Sequence, residues 1–447
     1  MDRAQLIDKI REAGIIGAGG AGFPTYKKLD ASVEHIIANG AECEPLLYKD
    51  RETMLQEGKA LFRGLEIMQQ ITGAQKVTIA LKEKNRDIAQ IYAATARQYG
   101  FDFFIYKDVY PAGDEYILVY EITGRRIPPG GIPLQVGVVV DNVETIVNIA
   151  HAVDDDRPVV DKFISITGAV KKAISLRVPV GTSIADCLEL AGGVTVANPA
   201  VLTGGVMMGG VEFDASLPIS KTLGGLIVLP ADHYLVKKKT TPREAYTRIG
   251  HGQCDQCSLC TEMCPRYIMG YPIEPHKVMR NLLLTGENKE RASLWAQYCC
   301  ECNVCTLIAC PEGLDPKSIC VDAKQLLREK GLSRTEEELE FLFRDVHPAR
   351  EGREVPIPTV YRRLGLTEYD RPAKFTPLDV QPQKVVLPLN SHIGAPAVPL
   401  VKVGDAVKKG QKIADVSKDQ LGSPVHASID GQITAIEEQM IVIERGV

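Results

Sequence analysis

Along the first 150 residues the apolar positions alternate between two periods. Residues 2–13 place Leu6, Ile10 and Ala13 on one helical face and stop at Gly14, the residue type that ends a helix in left-handed backbone. After a glycine-rich stretch comes an apolar run at 33–38. A helical period then runs through Met54, Leu61, Leu65 and Met68, followed by a strand-like 76–82, a helical 86–98 and a strand-like 101–107. Strand and helix in alternation predict a parallel sheet with helices on its faces. From 157 to 236 short apolar runs at 163–167, 178–180, 200–203 and 225–229, with one helix at 183–191, predict a small α+β module with a mixed sheet. Residues 237–244 read as a linker, 266–298 as helical, and 321–380 as helices followed by an extended connector. Near the end of the chain, two alternating β segments beginning at Val401 and Val425 are broken by Gly-Asp and Asp-Gly turns.

Composition narrows the class. The chain has 447 residues, 45% hydrophobic and 24% charged, with 52 Lys+Arg against 57 Asp+Glu. Its length suggests about three domains. No window approaches the roughly 18 consecutive apolar residues of a spanning helix, and the first residues alternate charge with apolar positions, so the expectation is a cytoplasmic protein with no membrane span. A net charge of −5 offers no basic surface for a nucleic acid partner. The one basic run, 237–239, falls in the expected linker.

The cysteines carry the chemistry. Of twelve, nine are crowded between Cys254 and Cys310, and the others are Cys43, Cys187 and Cys320. Cys254-x2-Cys257-x2-Cys260-x3-Cys264-Pro265 is the bacterial ferredoxin run, in which three closely spaced thiolates wrap one 4Fe-4S cluster and the fourth serves a partner cluster. Zinc fits this spacing less well, because it takes separated cysteine pairs. Cys299, Cys302, Cys305 and Cys310-Pro311 form a second group whose last gap is four residues instead of three, with Cys300 as a competing thiol. Crossed ligation as in two-cluster ferredoxins assigns Cys254, Cys257, Cys260 and Cys310 to one cluster and Cys299, Cys302, Cys305 and Cys264 to the other, leaving Cys299 against Cys300 open. Cys43, Cys187 and Cys320 read as packed thiols, and Trp295 as core near the second cluster.

The N-terminal glycine-rich Gly17-Ala-Gly-Gly-Ala-Gly-Phe-Pro-Thr25 follows a helix instead of opening one, so it is not the usual dinucleotide fingerprint. Its backbone N–H groups suit a phosphate or flavin ring, with Lys27 as counter-charge; a plain flexible turn is the competing reading. Asn39-Gly-Ala-Glu-Cys-Glu-Pro45 and Val140-Asp-Asn-Val-Glu-Thr145 place amides and carboxylates at strand ends, where open α/β sheets bind ligands.

Gly17–Thr25, Asn39–Pro45 and Asn142–Thr145 together resemble the flavin-bearing, NADH-oxidising subunit of respiratory complex I. The Ala-Glu-Cys-Glu-Pro form, Gly130-Gly-Ile-Pro, Val136-Gly-Val-Val and the two cysteine groups resemble the RnfC component of Rnf electron-transport complexes more closely. There, however, the segment resembling Ser391-His-Ile-Gly-Ala-Pro-Ala397 opens the chain; its place at the end here resembles the PduS-type cobalamin reductases of propanediol-utilisation microcompartments.

The resemblance implies a multidomain α/β fold: a Rossmann-like FMN/NADH domain over 1–155, a β-grasp (soluble-ligand-binding) module over 156–238, a helical two-cluster ferredoxin domain over 245–325, a connector over 326–380 and a barrel-sandwich hybrid over 381–447. It implies that Gly17, Gly19, Gly20, Lys27, Asn39 and Asn142 face FMN, and that Phe23, Glu42 and Glu44 lie near the nicotinamide nucleotide. Glu121 sits in a stretch that follows the family only loosely. The implied activity is electron transfer from NADH through FMN, held near the first cluster, and two 4Fe-4S clusters to cobalamin. An adenosyltransferase and a microcompartment shell protein are the implied partners. An Rnf-like electron-transfer subunit of a larger membrane complex is the alternative.

The end segment resembles lipoyl and biotinyl carrier domains, but Lys418 lacks their Met-Lys-Met tip, which favours a structural or docking role. His251, His392 and His426 are candidate cobalt ligands, with turn or core positions as the competing reading.

Overall fold

The computed structural model describes residues 1–446. The first sheet contains β1 (His35–Gly40), β2 (Lys76–Lys82), β3 (Asp102–Tyr106) and, after a two-residue β4 (Val109–Tyr110) outside it, β5 (Val138–Asn142). All four strands are parallel, in the order β3-β2-β1-β5. Ile36, Ile37 and Ala38 are fully buried because both faces are covered. The helices Arg3–Glu12, Gly58–Thr72 and Val143–Asp154 pack one face, and Glu115–Thr123 packs the other. The chain winds from β1 outward to β3 and then returns to add β5 on the opposite flank of β1. The strand order therefore reverses between β1 and β5, and the crevice at their carboxyl ends is where such sheets take ligands.

The second sheet contains β6 (Asp161–Gly168), β7 (Ile174–Pro179), β8 (Pro199–Thr203), β9 (Gly210–Glu212) and β10 (Gly225–Pro230), in the mixed order β7-β6-β10-β8-β9. The 237–244 stretch expected as a linker is helical at both ends, within Tyr234–Lys239 and Arg243–Gln253. The helix Tyr234–Lys239 buries Leu235 and Val236 in a core with Ala200 and Leu229, so two apolar residues just ahead of the basic run decide its conformation.

Short helices then carry the cysteines up to the helix Pro316–Lys330. The connector expected at 326–380 behaves as a strap. Within it, β11 (Val355–Pro356) pairs antiparallel with β4, and Val360, Leu364 and Leu366 pack with Leu46, Tyr110 and Cys302.

The C-terminal unit is built of a four-stranded and a three-stranded sheet around Val385, Leu387, Ile413, Ile433 and Ile443. It docks back on the first helix, where Arg11 Nη2 donates to Val416 O at 2.9 Å and Lys412 pairs with Glu12. Among the described residues no helix is long and apolar enough to cross a membrane.

The helices Gly58–Thr72 and Val143–Asp154 approach so closely at Gly64 that a Cβ there would stand 2.1 Å from Ile146 O. Glycine to alanine in a helix ordinarily stabilises by about 1 kcal/mol. Here Gly64→Ala is expected to destabilise by about 1–3 kcal/mol, the cost of overpacking, read as a lower melting midpoint by circular dichroism.

Candidate redox site

The glycine-rich loop passes over the crevice. An ideal Cβ on Gly19 would lie 3.4 Å from Asn142 Cβ, which puts the loop directly above the end of β5. Asn142 itself is fully engaged. Its Oδ1 accepts from Glu144 N at 3.0 Å, capping the helix Val143–Asp154, and its Nδ2 donates to both carboxylate oxygens of Asp50 at 3.0 Å. Below it lies a buried ionic set of Lys49, Asp50, Glu144 and Lys162. Burial alone would raise Glu144, but the Lys162 and Lys49 ammonium groups hold its carboxyl below the usual range. Lys162 also donates to Ala18 O at 3.2 Å, anchoring the loop from beneath. At the end of β1, Asn39 Nδ2 donates to Gly113 O at 2.9 Å, and its Oδ1 accepts from Ala41 N.

The remaining expected residues are dispersed. Phe23 is half-buried at the loop's exit, where its carbonyl accepts from Gly17 N at 2.9 Å. Glu42 is buried, with the Asp50 N–H 3.5 Å from its carboxylate. Burial, with the Asp50 charge adding to it, pushes the Glu42 carboxyl up to about 8. The Glu44 carboxylate accepts from Met207 N and Met208 N, both at 2.8 Å, joining the first unit to the second.

Lys27 is exposed, whereas Lys28 Nζ reaches the crevice, 2.8 Å from Val140 O and 3.2 Å from Asp141 Oδ1. Burial works against the Lys28 ammonium, but Asp141 and Glu115 outweigh it and hold the group above its ordinary value. Of the two adjacent lysines it is Lys28 whose ammonium lies at the strand ends. The helical step within Thr25–Leu29 turns the neighbours about 100° apart.

Cys254, Cys257, Cys260 and Cys310 ring one hollow, with His276, Met279 and Leu314 completing its wall. His251 is exposed on the preceding helix, so His276 is the histidine at this hollow. The second group is assembled on the same backbone plan. Gln256 and Ser258 adopt left-handed conformations (φ +63° and +64°), and Glu301 and Asn303 do the same (+59° and +67°). These four side-chain-bearing residues occupy matching positions between Cys254, Cys257 and Cys260 and between Cys299, Cys302 and Cys305. That register aligns Cys299, not Cys300, with Cys254.

The extra residue before Cys310 is absorbed by a π-helical turn over Cys305–Ala309, so Cys264 (φ −70°, ψ 119°) and Cys310 (φ −72°, ψ 116°) leave with the same backbone before their prolines. Cys264 is buried and faces Cys299 and Cys300. Cys300 neighbours Cys302, and Cys299 neighbours the buried Cys320.

The donor set fits 4Fe-4S clusters. Burial, followed by the neighbouring Cys310, Cys254 and Cys257, pushes the Cys260 thiol up to about 12, and burial also raises the Cys264 and Cys305 thiols. Thiolates in such surroundings need a cationic core, and soft sulfur ligands suit iron–sulfur chemistry. Four thiols stand around the one hollow, and a cubane offers a separate iron to each of four thiolates. Peripheral donors reach the sulfurs: Gln256 Nε2 to Cys254 at 3.2 Å, Glu301 N to Cys299 at 3.4 Å and Leu314 N to Cys310 at 3.4 Å.

The structure reverses the expected order of the two groups. The second, not the first, abuts the parallel-sheet unit. Tyr110, buried beside Cys43 and Glu44, donates its hydroxyl to Cys302 O at 2.8 Å. Arg266, next to Cys264-Pro265, pairs with Asp114 at 2.7 Å and stacks 3.5 Å over the Tyr116 ring. The first group points outward, with Cys257 exposed. The spacing of the cysteines holds no information about which end of the pair faces the sheet.

Residues 10–151 match the Nuo51 FMN-binding domain, 163–210 the SLBB domain, 253–315 the 4Fe-4S dicluster domain and 374–447 the RnfC barrel sandwich hybrid domain. The chain thus carries an FMN-binding domain and a 4Fe-4S dicluster domain in one mixed α/β multidomain protein. The fold is similar to that of a NAD+-reducing [NiFe]-hydrogenase in the H2-reduced state, with a TM-score of 0.51 at 20% identity, covering 77% of this chain and 63% of that one. The C component of the proton-translocating ferredoxin:NAD(+) oxidoreductase complex of Clostridium ljungdahlii is 30% identical over 269 residues, 59% of this chain and 56% of its own. Cobalamin reductase PduS of Citrobacter freundii is 40% identical across 100% of this chain and 97% of its own, and that of Salmonella typhimurium is 40% identical across 99% and 97%. With that identity sustained from end to end, the chain belongs to the cobalamin reductase PduS family.

Proposed function

We propose that this protein is an NADH-dependent reductase that passes electrons through FMN and two 4Fe-4S clusters to cobalamin, taking cob(III)alamin and cob(II)alamin to cob(I)alamin for adenosylation. The observation that carries the reading is the order of the groups: the glycine-rich loop at the strand-order reversal, Tyr110 against Cys302 of the largely buried second cysteine group, and the first group ending at exposed Cys257. FMN, when bound, accepts a hydride pair and delivers single electrons, which clusters require.

In this reading the first unit is a Rossmann-like flavin domain and the second a β-grasp module. Gly17, Gly19, Gly20, Asn39 and Asn142 bear on the flavin, and Lys28 supplies the counter-charge expected of Lys27. Phe23 and Glu42 bear on the nicotinamide nucleotide. Electrons enter at Cys264, Cys299, Cys302 and Cys305 and leave from Cys254, Cys257, Cys260 and Cys310. The acceptor side is served by an adenosyltransferase, and a shell protein holds the reductase in a propanediol-utilisation microcompartment. Membership of an Rnf-like membrane complex is the weaker reading. Its relatives match only about 60% of the chain, whereas the cobalamin reductases match through to the C-terminal unit.

Anaerobically purified protein is expected to carry flavin and about eight irons per chain, and to form cob(I)alamin from NADH without membrane subunits. Zinc in place of iron, or NADH oxidation only with membrane subunits, sinks the reading. Cys257→Ser is expected to keep its flavin and its bleaching by NADH while losing most cobalamin reduction, followed by stopped-flow absorbance.

Glu42 supplies a pH signature. Its carboxyl, raised from 4.5 to about 8 by burial and then by Asp50, binds a proton in the folded chain that the unfolded chain has released. Stability from this group is therefore full below about pH 4.5 and falls as pH rises through about 8. Glu42→Gln is expected to flatten that part of the melting-temperature profile between pH 5 and 8, measured by scanning calorimetry at about half-unit steps.

A further inference from the structure

The glycine-rich loop has two walls, and the second comes from the far end of the chain. On one side Gly19 covers Asn142. On the other, Gly22 (φ +67°) is enclosed so tightly that a Cβ would stand 3.0 Å from Thr222 Cγ2 and 3.1 Å from Ser391 O. The Ile393 N–H donates to Gly22 O at 3.0 Å. Between these walls Gly19, Gly20 and Ala21 are exposed, and nothing stands within 4 Å of a Cβ placed on Gly20. The open face of the loop is thus bounded by the strand ends and by a turn over residues 391–394.

That turn is held firmly. His392 Nε2 lies 2.9 Å from Ala395 O. Gly394 (φ +121°) fits where a Cβ would meet Leu421 O at 2.1 Å. The whole unit is bolted to the root of the loop by Lys221, whose buried ammonium donates to Gly14 O at 2.8 Å and Pro424 O at 3.1 Å. Arg11 adds its bond to Val416 O. Yet Ile393 remains 48% exposed. An isoleucine held by its backbone to Gly22, beside the exposed 19–21 stretch, sets apolar surface next to open backbone. A heteroaromatic base carried on a phosphate needs that combination.

We propose that the 391–394 turn is the outer wall of the dinucleotide site, and that Ile393 packs against a base of the nicotinamide nucleotide and helps determine its affinity. The proposal rests on the NADH reading given above. Because the main-chain bond to Gly22 does not depend on the side chain, Ile393 can be changed without removing the turn.

The test uses the full-length holoenzyme with NAD+ as a non-reducing probe in calorimetric titration, alongside NADH kinetics. Ile393→Asp sets a carboxylate toward the pyrophosphate, and is expected to weaken NAD+ binding by about tenfold or more. KM for NADH should rise in parallel, with kcat, flavin content and melting midpoint held. Ile393→Leu should bind close to wild type. Unchanged NAD+ affinity in Ile393→Asp, or loss of its FMN, overturns the proposal. A wild-type enzyme that fails to bind NAD+ at all instead overturns the NADH reading on which it stands.

Discussion

A sulfur that ligates iron must be a thiolate, and this chain buries four of its eight candidate ligands, Cys260, Cys264, Cys302 and Cys305, where a bare thiolate is disfavoured. The rest of the cysteine unit follows from that constraint. Four side-chain-bearing residues accept left-handed backbone, at roughly 1–2 kcal/mol each, so that successive cysteines turn toward common centres. Strain of this kind persists where surrounding structure and a bound group over-determine it. The π-turn before Cys310 belongs to the same logic. An inserted residue would rotate the last thiol away from its cluster, and widening one helical turn restores its direction.

The cysteine unit is in turn locked to the parallel sheet. Arg266 ties Cys264-Pro265 to Asp114 and the Tyr116 ring, Tyr110 reaches Cys302, and the strap carrying β11 closes over β4. These contacts join a flavin-type crevice to the inner cysteine group through protein interior, leaving the outer group at the surface. An electron carrier is useful only if its entry and exit lie at different places, and the packing separates them.

Three units meet on the glycine-rich loop. The helix before it is gripped by the C-terminal unit through Arg11 and Lys412, the second unit sends Lys221 and Thr222 to its flanks, and the sheet supplies Asn142 from below. A loop of small residues has little side-chain packing of its own, so its shape is set by neighbours. That accounts for a C-terminal unit without a carrier lysine tip sitting against the N-terminal crevice.

The sequence by itself determined the features governed by short-range geometry. The parallel sheet followed from alternating periods, the two cluster motifs from cysteine spacing within one or two turns, and the helix end at Gly14 from its need for positive φ. Tertiary structure alone decided what depends on direction in space. It placed the Lys28 ammonium at the strand ends, tied Glu44 to the backbone of Met207 and Met208, made a strap of the 326–380 connector, and turned the second cysteine group toward the sheet. Spacing along the chain sets which residues share a turn; which way that turn faces is set by the burial of apolar surface between units, and that is a property of the assembled whole.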